Sequence, residues 1–127
     1  MSAIFSPSTY FVFGLNCIDM SLENTHFRRF AGLNRLYGEG ATERLARAHV
    51  CIVGVGGVGS WAVEALARCG VGTLSLIDAD HVVESNVNRQ IQALPENFGK
   101  AKITALAERI AQINPDCVVH EVDDFIG

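Results

Sequence analysis

Paired cysteines are missing from this sequence. Its four cysteines, Cys17, Cys51, Cys69 and Cys117, stand far apart with no C-x-x-C among them, which excludes the usual zinc spacings and a disulfide framework. Cys51 and Cys69 lie inside apolar runs, where a thiol is expected to pack as a small hydrophobe. The setting expected is reducing and cytoplasmic. Positive charge is scarce too. Ten Lys and Arg against fourteen Asp and Glu leave a net charge of −4, so the chain as a whole has no electrostatic pull toward nucleic acid. No unbroken apolar run is long enough to span a membrane, and no membrane partner is expected. The run from Ala3 to Ile18 is interrupted by Pro7, Gly14 and Asn16, follows no positive charge and shows no clear small-residue cleavage site. It therefore makes a poor signal peptide. Repeats and low-complexity tracts are absent. So is any convincing Ser-His-Asp or Cys-His constellation for a protein nucleophile. His26, His49, His81 and His120 lack ligand spacing; His81 lies near the site argued below, but surface polarity accounts for it equally well.

What remains is a 127-residue chain, 49% hydrophobic and 19% charged, which suits one globular domain with a modest core. Residues 1–19 are expected to be a non-native or disordered extension, with translation starting at Met20. Residues 20–48 read as an N-terminal helical segment, in which Phe27, Phe30, Leu33 and Leu36 recur at helical spacing and a second piece runs from Ala41 to Ala48. Residues 49–127 read as a half-domain of alternating strands and helices. Val50 to Val53 is a short apolar run of the kind found in buried parallel strands. Ser60 to Cys69 reads as a helix with Ala62, Ala65 and Leu66 on one face, ended by Gly70 and Gly72. Thr73 to Asp78 forms a second strand, followed by a polar loop from Ala79 to Phe98. A helix from Gly99 to Ile113 places Ile103, Leu106, Ala107, Ile110 and Ile113 on one stripe, and Asn114-Pro115 stop it. Cys117 to Phe125 reads as a third strand with an exposed flank. The class expected is α/β: a Rossmann-like three-layer fold with a parallel sheet, preceded by N-terminal helices and truncated after its third strand.

Gly54-Val55-Gly56-Gly57-Val58-Gly59 matches G-x-G-x-x-G between a strand and a helix. The first glycine permits a tight turn, the second lets main chain approach phosphate, and the last lets helix and strand pack closely. The helix beginning at Ser60 offers unpaired N–H groups and partial positive charge to an anion. Asp78, 24 residues beyond Gly54, is placed to accept from ribose hydroxyls. A glycine cluster that serves packing alone is the plain alternative, but strand, turn, helix and acid together favour a nucleotide. This motif does not choose between NAD and ATP.

The loop beyond it does choose. Asp78 and Asp80 are followed by Asn86, Arg89 and Gln90, and then by Lys102 on the next helix. A dehydrogenase has little use for two cations there, whereas a triphosphate needs them. Arg89 can pair bidentately with phosphate oxygens, and Lys102 can act as a mobile point charge. Asn86 and Gln90 can hydrogen-bond phosphate or ribose. During attack on an α-phosphorus, fixed cations stabilise the charge that grows on the phosphate oxygens. Taken singly, Arg89 and Lys102 would pass for solvated surface charges; the set argues otherwise.

As a set, Gly54, Gly56, Gly57, Gly59, Ser60, Asp78, Asp80, Asn86, Arg89, Gln90 and Lys102 resemble the ATP-binding signature of the ubiquitin-activating superfamily. Its bacterial members include the adenylyltransferases of molybdopterin and thiazole biosynthesis. Arg29-Phe30-Ala31-Gly32-Leu33-Asn34-Arg35-Leu36-Tyr37-Gly38 resembles the opening of the tRNA threonylcarbamoyladenosine dehydratases within it. The resemblance implies ATP with Mg2+, Asp78 on ribose, and Asn86, Arg89, Gln90 and Lys102 around the triphosphate. It implies tRNA as the substrate of the intact enzyme, an accessory sulfur-acceptor or desulfurase protein, and a homodimer in which Arg35 reaches the partner's site. Arg35 reads equally as a surface charge. A further acidic residue of the superfamily, expected to hold magnesium, would lie beyond the third strand, so the fragment alone is expected to be inactive. Two other readings stay open: an adenylyltransferase for a ubiquitin-like sulfur carrier, and an NAD-binding oxidoreductase module.

Overall fold

A computed structural model describes residues 10–13 and 16–125, with side chains from Thr25 to Phe125. The expected extension at 1–19 lies outside the described residues at 1–9 and 14–15. Between them β1 (Tyr10–Phe13) and β2 (Asn16–Asp19) pair antiparallel. Three helices follow: α1 (Met20–Phe30), α2 (Leu33–Tyr37) and α3 (Ala41–Arg47). Strands and helices then alternate through β3 (His49–Val53), α4 (Gly59–Arg68), β4 (Thr73–Ile77), α5 (Lys102–Ile113) and β5 (Val118–Val122). β3, β4 and β5 form a parallel sheet in that order, with His49 opposite Thr73 and Thr73 opposite Val118. This is the Rossmann-like α/β order that the sequence predicts. Among the described residues no helix is long and apolar enough to cross a membrane.

One core explains the arrangement. Ile52, Leu74 and Leu76 on the sheet meet Val63 and Ala67 of α4 and Ile103, Leu106 and Ile110 of α5. Leu74, Leu76 and Leu106 are fully buried, and each such side chain contributes about 1.5–3 kcal/mol of burial. α4 and α5 lie over one face of the sheet, so β3 alternates. Ile52 is buried, whereas His49, Cys51 and Val53 are exposed, as are Val118, His120 and Val122 of β5. This corrects two expectations: β3 is not buried on both faces, and the Cys51 thiol points to the exposed one.

The face of α4 is also corrected. Ala62 and Ala65 are exposed, while Ser60, Val63, Glu64 and Ala67 are buried; of the expected face, Leu66 alone packs against the core. A buried carboxylate needs partners, and Glu64 has two. Arg109 of α5 donates to it bidentately, at 2.6 Å from Nε and 3.0 Å from Nη2, and Arg68 Nε donates at 2.8 Å. The Arg109 guanidinium, helped by Arg68, holds the Glu64 carboxyl below the usual carboxylate range although burial pushes the other way.

The N-terminal helices gather where the strands begin. Arg29 Nη1 donates to the main-chain carbonyls of Gln112 (3.1 Å) and Ile113 (2.8 Å), answering the open carbonyl end of α5. The helical stripe expected from Phe27 to Leu36 breaks at Ala31-Gly32, between α1 and α2; Phe30 stays buried, whereas Phe27 and Leu36 are exposed. α5 starts at Lys102, not Gly99, because Gly99 has φ +89° and residues 99–100 bond back to Val82 through Gly99 N–H and the Lys100 carbonyl. β5 ends at Val122, short of the expected Phe125.

Candidate nucleotide site

The site lies at the ends of the strands opposite those helices. After β3 the chain turns at Gly54, whose φ of +81° suits glycine alone at little cost. Gly59 then brings the first turn of α4 back against the Gly54 carbonyl; a Cβ at 59 would collide with that carbonyl's oxygen and carbon. Between them the N–H groups of Gly56, Gly57 and Val58 take no protein partner among the described residues. Successive free amides at a helix start form a nest for an anion.

Asp78 ties the ends of β3 and β4 together. Its Oδ2 accepts from Val55 N–H at 2.9 Å and its Oδ1 from Asp80 N–H at 2.8 Å. The carboxylate is thereby fixed beside the turn, half-buried, with lone pairs left for hydroxyl donors.

The loop after β4 is more structured than its polarity suggests. It carries short 3-10 turns at Glu84–Asn86 and Pro95–Asn97, and it buries Val82, Asn86, Gln90, Gln92 and Ala93. It is laced to the glycine turn. Gln92 Nε2 donates to the Val55 carbonyl at 2.9 Å, Ile91 N–H to Ser60 Oγ at 3.4 Å, and Trp61 Nε1 to the Arg89 carbonyl at 2.9 Å. The Arg89 stem runs over Gly57, with Cδ 3.5 Å from where a Cβ would stand. Its head is exposed, held by Asn88 Oδ1 at 2.8 Å and the Ser85 carbonyl at 3.2 Å, and forms no ion pair among the described residues. An arginine held by neutral acceptors keeps its full charge for a ligand.

Lys102 opens α5 nearly buried, its Nζ 3.4 Å from Asp80 Oδ2. That contact is long for a charge-assisted bond. Asp80 thus sits against Lys102. Asn86 also serves its own loop: its Oδ1 accepts from Val83 N–H at 3.0 Å and so closes the loop's turn. Gln90 is buried, its Oε1 accepting from Gln92 Nε2 at 3.2 Å, and its Nε2 faces Gly56. Ser60, fully buried, braces the loop through Ile91.

The fold therefore brings Gly54, Gly56, Gly57, Gly59, Ser60, Asp78, Asp80, Asn86, Arg89, Gln90 and Lys102 to one edge. It does not bring Arg35 there: Arg35 is exposed on α2, among helices joined to the strand beginnings, at the other end of the strands. Trp61 and Gln92 are the participants that sequence reasoning missed. The available signals were a tryptophan in the first turn after the glycines and a second glutamine two residues past Gln90.

The ThiF family model matches residues 28–127. The tRNA threonylcarbamoyladenosine dehydratase of Escherichia coli (strain K12) is 60% identical over 99 residues, covering 78% of this chain and 37% of that protein. Its counterpart in Haemophilus influenzae is 48% identical over 108 residues, covering 85% of this chain and 41% of that protein. The crystal structure of the E. coli enzyme in complex with ATP superposes with a TM-score of 0.77 at 59% identity, over 79% of this chain and 41% of that one. The chain thus spans about two fifths of the length of the curated relatives it matches.

Proposed function

The chain belongs to the ThiF family, and on that premise we propose that it forms the ATP-binding part of an enzyme that adenylates a carboxylate, that of threonylcarbamoyladenosine in tRNA. The observation that carries the reading is the row of amides at Gly56–Val58, free among the described residues, beside Arg89, a cation with no acid partner among them, and the nearly buried Lys102. Such an edge is built to hold several phosphate negative charges.

In the proposed reaction the threonyl carboxylate oxygen attacks the α-phosphorus of ATP. The bond to the bridging oxygen breaks, leaving an acyl adenylate and pyrophosphate. The carbamoyl nitrogen then attacks the acyl carbon, loses its proton and expels AMP, closing a ring with net loss of water. Asp78 receives the ribose hydroxyls, the amide nest holds phosphate, and Arg89 and Lys102 stabilise charge developing on the phosphate oxygens. Lys102 passes from Asp80 to the phosphates when they arrive. Among the described residues no group of three or more His, Cys, Asp or Glu gathers to hold a metal. In this proposal magnesium arrives with the triphosphate, and Asp80, exposed beside Lys102, is a carboxylate at hand for it. The same reading includes tRNA as substrate of the whole enzyme, a homodimer that carries Arg35 to the partner's site, and an accessory sulfur-acceptor or desulfurase protein.

Calorimetric titration of the chain with ATP–magnesium and with NAD tests the core of it. The expected result is preference for ATP, weakened roughly ten- to hundredfold by Arg89→Ala. NAD binding indifferent to Arg89 would overturn the reading.

A further inference from the structure

We infer that Trp61 is a positioning residue for Arg89: its indole N–H fixes the main chain from which that guanidinium reaches the triphosphate. The inference rests on the ATP reading above. Trp61 stands in the first turn of α4, next to Ser60, and its Nε1 donates to the Arg89 carbonyl at 2.9 Å. The Arg89 N–H is held from the other side by the Asn86 carbonyl at 3.1 Å. The residue is therefore gripped at both ends, once by its own loop and once by the helix that carries the amide nest. Only the second grip ties the cation to the phosphate-binding turn.

Burial does not explain this side chain. Trp61 is 53% exposed, and it is absent from the core that α4 buries through Val63 and Ala67. An indole left half in water is not anchored by the core, and it presents one directional donor and no acceptor. Here that donor meets a main-chain carbonyl. The remaining ties between loop and turn, through Ser60 and Gln92, act at residues 91 and 92. The N–H groups of Arg89 and Gln90 are both held by the Asn86 carbonyl inside the loop, at 3.1 and 3.0 Å, so the Trp61 bond is what joins the peptide between them to α4. The stem of Arg89 lies flat over Gly57, so a small rotation at residue 89 carries the head away from the amide row. A displacement of about 1 Å at a reacting group is enough to matter by orders of magnitude in rate.

The experiment is a double-mutant cycle on the full chain: wild type, Trp61→Phe, Arg89→Ala and the double variant, titrated calorimetrically with ATP–magnesium and melted in parallel. Phenylalanine keeps an aromatic ring and removes the donor. Trp61→Phe is expected to weaken ATP–magnesium roughly three- to tenfold, the worth of one hydrogen bond, with a melting temperature close to wild type. In the Arg89→Ala background the same change is expected to cost nothing further. Unchanged affinity, or an equal loss with and without Arg89, overturns the inference. If Arg89→Ala itself leaves ATP binding intact, the ATP reading fails; if Arg89→Ala weakens it and Trp61→Phe does not, this inference fails alone. Trp61 is the single tryptophan of the chain, so wild-type emission gives a second measure that needs no Trp61 variant. A change at ATP–magnesium saturation that disappears in Arg89→Ala supports the coupling, and emission indifferent to ATP refutes it.

Discussion

Replacing Glu64 by glutamine tests whether α4 and α5 are held together by charge as well as by apolar packing. The change keeps the shape and turns one acceptor oxygen into a donor, which must then face an arginine N–H. Three contacts are affected: 2.6 and 3.0 Å from Arg109 and 2.8 Å from Arg68. A hydrogen bond to a charged group is worth about 1.5–3 kcal/mol. The sum would overstate the loss, because the Arg68 and Arg109 side chains are 59% and 35% exposed and water takes over part of their solvation. We expect Glu64→Gln to lower stability by about 2 kcal/mol at pH 7. In a domain of this size that is on the order of 10 °C in melting temperature. The pH dependence has a definite sign. Because the folded-state pKa of Glu64 is lowered, its contribution is fully present above the ordinary glutamate value of about 4.3 and disappears as pH falls through the folded value. Urea denaturation of both chains, followed by circular dichroism from pH 7 downward, should show a gap that closes in acid. Glu108→Gln, which loses only the exposed pair with Lys100 at 2.7 Å, should cost less than about 0.5 kcal/mol. A Glu64→Gln gap no larger than that of the control, or one that persists unchanged in acid, would refute the reasoning.

Two further outcomes concern the site. Gly59→Ala drives a Cβ into the Gly54 carbonyl; overpacking of this kind costs about 1–3 kcal/mol. It should also abolish measurable ATP binding at a temperature where the variant is still folded, so calorimetry and a melting curve must be read together. Lys102→Met keeps the buried stem and removes the ammonium beside Asp80. Stability should be neutral or improved, since a nearly buried charge is removed, while ATP–magnesium affinity falls roughly tenfold. Retained affinity in that variant would deny Lys102 its place on the phosphates.

The strand–turn–helix order was legible because its signals are local. Apolar runs end at glycine, and Ile103, Leu106 and Ile110 repeat at helical spacing and are buried as read, with Ala107 and Ile113 of the same stripe half-buried. The burial of α4 was not legible, because the group that turns its face inward is Glu64, whose principal partner Arg109 is 45 residues away. The exposed side of β3 was missed for a related reason. A run such as Val50 to Val53 reads as buried throughout, yet how many faces are covered depends on helices elsewhere. At the site, spacing singled out residue types suited to phosphate, and the fold gathers them at one edge. The turn-closing bond of Asn86 was not legible, since asparagine at the end of a short turn serves its own main chain as readily as a ligand. Trp61 and Gln92 were invisible for a different reason: what they grip is a carbonyl, and every residue has one.

The lacing of loop to glycine turn has an evolutionary consequence. Trp61 holds the carbonyl of 89, Gln92 that of 55, Asp78 the amide of 55 and Ser60 the amide of 91; within the loop itself Asp78 holds the amide of 80 and Asn86 that of 83. In every case one side of the contact is main chain, which mutation to any residue but proline leaves in place. Drift at Val55, Val83, Arg89 or Ile91 therefore calls for no answering change at its partner. Correlated substitutions, the usual statistical trace of residues in contact, should be faint across the very joint that brings this pocket together, and a map of covarying pairs would show the sheet and its helices in sharper relief than the site they carry.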